Sequence, residues 1–244
     1  YRYGLEQLAG DTNAAVAGLF DSGATEVIVW DGHGDNDQSA FEKVPLDRRA
    51  SCKKISESYP RTFEGLDDST RGLVIIGQHA MAGTIGGFLD HTRGIKDICR
   101  FLINGEEHGE ISHLALTVGY YGVPLIDVSG DEAACQETQR LFPHAGVTPT
   151  KRGTGWETVE LYPPEQVRPA IRKEIALAAA RAGQCPAWKP PVPIDILIEF
   201  SWSGLPDRLA EFPGVHRDHA RIVSWKIGDP RHVYQWPSKE WHPL

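Results

Sequence analysis

The stretch Leu73-Val74-Ile75-Ile76-Gly77-Gln78-His79-Ala80-Met81-Ala82-Gly83-Thr84 decides how this chain is read. Four apolar residues in a row, three of them β-branched, describe a strand buried on both faces, as in a parallel sheet. Gly77 ends the apolar run and an imidazole follows two residues later. The same grammar occurs earlier, where Glu26-Val27-Ile28-Val29-Trp30 runs into Asp31-Gly32-His33-Gly34. In an open α/β sheet, ligands sit in the crevice at the carboxyl ends of the strands. Neighbouring parallel strands would therefore bring His33 and His79 to one rim.

Working outward, Leu5 to Gly23 reads as an amphipathic helix closed by Ser22-Gly23. A helix leading into a parallel strand normally follows another strand, since βαβ is the repeating unit. No such strand precedes this helix, so the reading expects an N-terminal strand to be missing. Cys52–Ser56 reads as a short strand. Ile98–Ile103 is another, followed by Asn104-Gly105, a strong hairpin signal. A helix is expected from about Ile111 to Tyr121 with Gly122 beyond its end. A strand over Val123–Val128 leads to Ser129-Gly130-Asp131, which opens a helix over Glu132–Phe142. After Thr150 the alternation weakens. A long helix (Glu165 to Ala182), a Pro-rich linker and the strand Ile194–Phe200 follow. The expected fold is α/β, a parallel-type sheet flanked by helices. Residues 1–150 form the metal-site domain, and 151–244 a smaller α+β lobe with pocket and oligomer contacts.

The net charge of −8 argues against nucleic-acid binding, which needs a basic face. No apolar run approaches the ~20 residues that span a bilayer. Four cysteines with no Cys-x-x-Cys suit a reduced, cytoplasmic protein with buried thiols. There is no Gly-x-Ser-x-Gly elbow, and no cysteine in an activating context. Gly83–Gly87 is neither Gly-x-Gly-x-x-Gly nor a Walker A loop.

The residues that could carry chemistry stand beside glycines and strand ends. His33 lies in a Gly-flanked turn, His79 after a buried strand, His91 in a Gly-rich loop, and Glu110 at a helix start. Two imidazoles and a carboxylate are a common zinc set that leaves a coordination position open for water. Taken singly, each has a plainer reading. A histidine at a strand end can be a hydrogen-bonded structural residue, Glu110 a helix N-terminal carboxylate, and Asp31 a turn cap. His108 and His113, flanking Glu110, read as packing or solvated residues.

Several segments, in order, resemble the zinc-dependent D-aminopeptidases of peptidase family M55. They are Ser22–Val27 into Asp31-Gly32-His33-Gly34; Glu64-Gly65-Leu66-Asp67; Gly77-Gln78-His79-Ala80 with Ala82-Gly83-Thr84; and Leu89-Asp90-His91-Thr92. Further on come Asn104-Gly105 to Gly109-Glu110, Gly119–Pro124, and Val128-Ser129-Gly130-Asp131. The likeness covers roughly residues 1–150. It implies a hydrolase of amide bonds in small peptides, two zinc ions per subunit, and a homo-oligomer that can be a ring. It also implies that His33, His79 and Glu110 are metal ligands and His91 a catalytic histidine. The family's Asp-x-Glu-Gly ligand motif belongs to the first strand, and neither Glu6 nor Asp11 fits it, so the same strand is expected to be missing on both counts. Gln78, Trp30 and the residues after Lys151 also depart from the family pattern. Two other readings stay open: a metallohydrolase of non-peptide amides or lactams, and a non-catalytic scaffold that kept the fold.

Overall fold

A computed structural model of the chain describes residues 2–32, 41, 44–53, 55 and 63–238. The expected metal ligand His33 lies outside the described residues.

The chain opens with helix α1 (Arg2–Asp21) and strands β1 (Ile28–Trp30) and β2 (Ser51–Lys53). Then come β3 (Leu73–Gln78), β4 (Ile98–Ile103), β5 (Glu106–Glu107), α2 (Glu110–Tyr120), β6 (Leu125–Asp131) and α3 (Glu132–Leu141). After these follow β7 (Gly146–Gly155), β8 (Thr158–Leu161), α4 (Pro164–Ala180), β9 (Ile194–Phe200), α5 (Gly204–Leu209), β10 (His216–His219) and β11 (Ile222–Ile227). One sheet has the order β3-β6-β7-β8, with the first three strands parallel and β8 returning as a hairpin. A second has the order β10-β11-β9-β4-β5 and is antiparallel.

The alternation along β3 sorts its side chains between two helical layers. Leu73 and Ile75 pack with Ile111, Ala115 and Val118 of α2. Val74 and Ile76 point the other way, onto Ala15 of α1 and Val167, Ile171 and Ile175 of α4. Both faces are covered, which is why the strand reads as one apolar run. On its far side α2 meets the second sheet, where Leu116 joins Phe101, Ile103, Ile196, Ile198, Phe200 and Trp225. A helix packed between two sheets has no solvent face, and α2 carries buried side chains almost all round.

Several local expectations meet their structural counterparts. Asn104 and Gly105 have φ 51° and 85°, the mirror-image turn a tight hairpin requires. Gly122 takes φ 83° just beyond the end of α2. The Asp131 side chain accepts the Ala134 N–H at 2.7 Å and caps α3. Three readings differ. Strand β1 pairs with β2, and among the described residues it is not hydrogen-bonded to β3. The β7–β8 hairpin was not legible, because Gly153 and Gly155 interrupt its alternation. Only Cys135 is buried; Cys52 is exposed on the short β1–β2 ribbon, and Cys99 and Cys185 are half-buried. All four are free thiols, and burial pushes Cys135 up to about 12.

At the amino-terminal end of the parallel strands, Asp127 is fully buried and neither carboxyl oxygen has a hydrogen-bond partner. A β-carbon placed on Gly146 would lie 2.5 Å from Asp127 Oδ2 and 2.9 Å from Glu174 Oε1, so the two carboxyls converge there. Burial, with the Glu174 charge adding, pushes Asp127 up to about 7. Between the unfolded value of 3.8 and about 7 the folded chain holds a proton that the unfolded chain releases. Stability therefore falls as pH rises through that window and levels off above it. The cost is on the order of 4 kcal/mol at most. Asp127→Asn is expected to remove this slope. Urea unfolding at pH 5 and pH 8 should show the variant gaining on the parent chain as pH rises; equal slopes would refute the assignment.

Candidate metal centre

Three elements meet at the carboxyl end of β3. The strand carries its pairing to Gln78, whose register partner is Gly130 of β6. A side chain at 130 would run into the Gln78 carbonyl, so a glycine lets the strands close. Gly77, at φ 79°, turns the backbone before His79. His91 comes from the loop after Gly83–Gly87, and its N–H donates to the Ala80 carbonyl at 3.3 Å. Glu110 is the first residue of α2, where the helix dipole favours a charged carboxylate.

Ligand atoms of His79, His91 and Glu110 all lie within 4.8 Å of one another. His79 Nε2 is 3.9 Å and His91 Nε2 3.8 Å from the same oxygen, Glu110 Oε1. The two rings are stacked, with centroids 3.8 Å apart at 18°. Each imidazole faces a backbone carbonyl through Nδ1: His79 with Ala80 O at 3.0 Å, His91 with Leu89 O at 2.7 Å. A carbonyl only accepts, so it selects the Nδ1–H tautomer and leaves the Nε2 lone pair free. Burial holds the His79 imidazole below its ordinary range, against the pull of the Glu110 charge, and keeps that lone pair available. The side chains are still 18–24% exposed, so the cluster opens to solvent.

Two imidazole nitrogens and a carboxylate oxygen, all acceptors, thus point at one spot. That donor set fits zinc. Tetrahedral bonds of about 2.0–2.1 Å put neighbouring ligand atoms roughly 3.4 Å apart, so the separations of 3.9 and 3.8 Å between the imidazoles and Glu110 Oε1 need close by only about half an ångström.

The segment that carries His79 and His91 is held by side-chain oxygens. Met81 N–H donates to Glu137 Oε2 at 2.7 Å and Ala82 N–H to Thr92 Oγ1 at 3.1 Å. Gly83 and Thr84 donate to Asp90 Oδ2 at 2.7 and 3.3 Å, and Phe88 to Asp131 Oδ2 at 2.7 Å. Asp90 thus occupies the amide cradle of the glycine loop with a carboxylate of the chain itself. Buried Glu137 is pushed up to about 7 by desolvation. Lys151, half-buried over the Phe88 ring, is held below its ordinary value by desolvation, against the pull of the Asp131 and Asp11 charges.

Of the residues expected from sequence, His79, His91 and Glu110 come together here. The segment after Asp31-Gly32 that carries His33 is not described. His108 and His113 are both buried: His108 Nδ1 faces Ser112 Oγ at 2.9 Å, and His113 packs between Phe101 and Tyr234. Sequence reasoning missed Thr92, Glu137 and Arg93. Thr92 had a signal, since it directly follows His91; Glu137, a polar residue inside an amphipathic helix, had none.

Residues 1–238 match the family model Peptidase M55, described as D-aminopeptidase. The chain is 28% identical over 236 residues to the D-aminopeptidase of Bacillus subtilis (strain 168), covering 96% of this chain and 85% of that protein. A solved structure, the Zn-dependent D-aminopeptidase DppA from Bacillus subtilis, described as a self-compartmentalizing protease, is similar with a TM-score of 0.86. Its identity is 29%, over 96% of this chain and 85% of that one.

Asp90→Ala would strip Gly83 and Thr84 of their acceptor. The loop should exchange amide deuterium faster at these positions, while the loss in global stability stays within about 1–2 kcal/mol. Unchanged exchange at residues 83–84 would show that the loop is held by other contacts.

Proposed function

The chain belongs to the M55 family of D-aminopeptidases, and we propose that it is a zinc-dependent hydrolase cleaving amide bonds of small peptides. The observation that supports this best is the convergence of His79 Nε2, His91 Nε2 and Glu110 Oε1.

In this reading His79 and Glu110 hold zinc, with His33 added by sequence resemblance alone. A second zinc, as the resemblance implies, needs donors beyond these. Bound zinc supplies a Lewis acid for the amide carbonyl and a water acidified toward a pKa of ~7. The chain's own groups do the rest. The backbone carbonyls of Ala80 and Leu89 fix the tautomers of both imidazoles. His91, with the Nε2 lone pair free, takes a proton from the attacking water and passes it to the leaving amine; only in that protonated form does its Nε2–H hydrogen-bond the developing oxyanion. Stacking on His79 restrains its ring.

The division at residue 150 is proposed as one of function. Residues 1–150 supply the site, and 151–244 line the substrate pocket and contact other subunits. It does not follow the sheets, since β7 crosses residue 150 and β9 pairs with β4. A homo-oligomer, with a ring as its form, is supported by the self-compartmentalizing relative. No helix among the described residues is long and apolar enough to cross a membrane. The four unpaired thiols support a cytoplasmic protein.

His79→Ala and Glu110→Gln are expected to lose zinc and D-aminopeptidase activity together, measured by metal analysis and by hydrolysis of D-Ala dipeptides. His91→Ala should retain zinc and lose about 10²–10⁴-fold in kcat. Stoichiometric zinc in His79→Ala would refute the site. Zinc lost from His91→Ala would make that residue a ligand. Zinc-dependent turnover of small amides but not of peptides would move the substrate to the non-peptide class.

A further inference from the structure

The oxygen at which the two imidazoles point also accepts a hydrogen bond from a residue outside the ligand set. Arg93 N–H donates to Glu110 Oε1 at 2.7 Å. To aim that N–H, Arg93 adopts φ 64°, the left-handed region that a long side chain rarely enters. The Gly94 N–H, donating to the Thr92 carbonyl at 2.7 Å, closes a tight turn across it, and the Arg93 side chain anchors that turn to the rest of the fold. The guanidinium donates to the Val233 carbonyl at 3.4 Å and to the Tyr234 carbonyl. It lies 4.3 Å above the Trp236 ring and 5.7 Å from that of Tyr234. Val233 and Tyr234 belong to the short helical turn Pro230–Tyr234 and are buried in the core of the antiparallel sheet. Both terminal nitrogens are thus engaged by main-chain carbonyls, which commits the guanidinium to this turn.

We propose that Arg93 is a positioning residue: it fixes the carboxylate of Glu110 to the C-terminal turn and Trp236, so that this segment sets the metal affinity of the centre. The proposal rests on Glu110 being a zinc ligand. Arg93 acts through Glu110. A ligand carboxylate whose orientation is held by a hydrogen-bond donor binds metal more tightly than one free to rotate, and loss of such a donor typically costs 10–100-fold in affinity or activity. The route runs from the aromatic core through a cation–π contact and two carbonyls to one backbone N–H.

The test uses the full chain with Arg93→Ala, Arg93→Gly, Arg93→Lys and Trp236→Ala. Zinc dissociation constants are measured by chelator competition, and deuterium uptake over residues 88–94 is measured in the metal-free protein. Arg93→Ala is expected to weaken zinc about 10–100-fold and to speed exchange in that segment. Trp236→Ala and Arg93→Lys should move both readouts the same way but less, and they keep the test open if the alanine variant fails to fold. Arg93→Gly should recover part of the loss, since glycine accepts φ 64° without a side chain to hold it. A merely structural role would lower the melting temperature and leave the zinc affinity of the folded protein unchanged. Wild-type zinc affinity and unchanged exchange in Arg93→Ala would overturn the proposal. If the parent chain itself binds no zinc, the metal reading fails, and the exchange measurement still shows whether Arg93 holds the turn.

Discussion

The burial of α2 between two sheets is the constraint on which the rest depends. One side of the helix fills the space under β3 and β6 with Ile111, Ala115 and Val118, and the other meets the antiparallel sheet through Leu116. Close packing leaves such a helix little room to shift, because interiors are as dense as molecular crystals. Its first residue, Glu110, is therefore delivered to one place. The parallel strand beside it delivers His79 to the same place, and the intervening loop brings His91 over the first imidazole.

Electrostatics then gives the site its character. Three acceptor atoms converge, and the tautomers that make the imidazoles acceptors are imposed by the carbonyls of Ala80 and Leu89. The surrounding carboxylates each hold backbone through at least one oxygen. Those of Asp90, Asp131 and Glu137 are taken up by backbone N–H groups of the segment that carries the histidines. Where the carboxylate is ionised, such hydrogen bonds are stronger than neutral ones, and together they make a glycine-rich loop a fixed frame. Half-buried Lys151 offsets part of the negative charge collected there. The C-terminal part of the chain is joined to this frame through the β4–β9 pairing, through Arg93, and through Trp156, whose carbonyl accepts the Leu89 N–H at 2.8 Å.

Much of this was open to a reader of the sequence, because it depends on local periodicity and on turn chemistry. The apolar run at Leu73–Ile76, the Asn104-Gly105 turn, Gly122 after a helix and Asp131 before one each express a rule acting over a few residues. Histidines beside glycines at strand ends, with a glutamate opening a helix, marked His79, His91 and Glu110 as candidates. The order of the segments that resemble family M55 pointed to a family, and the match over residues 1–238 shows it.

Tertiary structure alone decided the partition of the strands between two sheets, since pairing across a hundred residues leaves no local pattern: Ile98–Ile103 looks like its neighbours yet pairs with Ile194–Phe200. It also decided which carboxylates face the histidines and which hold the backbone, and that Arg93 reaches a turn 140 residues away. Sequence by itself determined the kinds of element and the chemistry of the donors. Where each donor points was settled by long-range packing, because a hydrogen bond is fixed by distance and angle in space and these do not follow from separation along the chain.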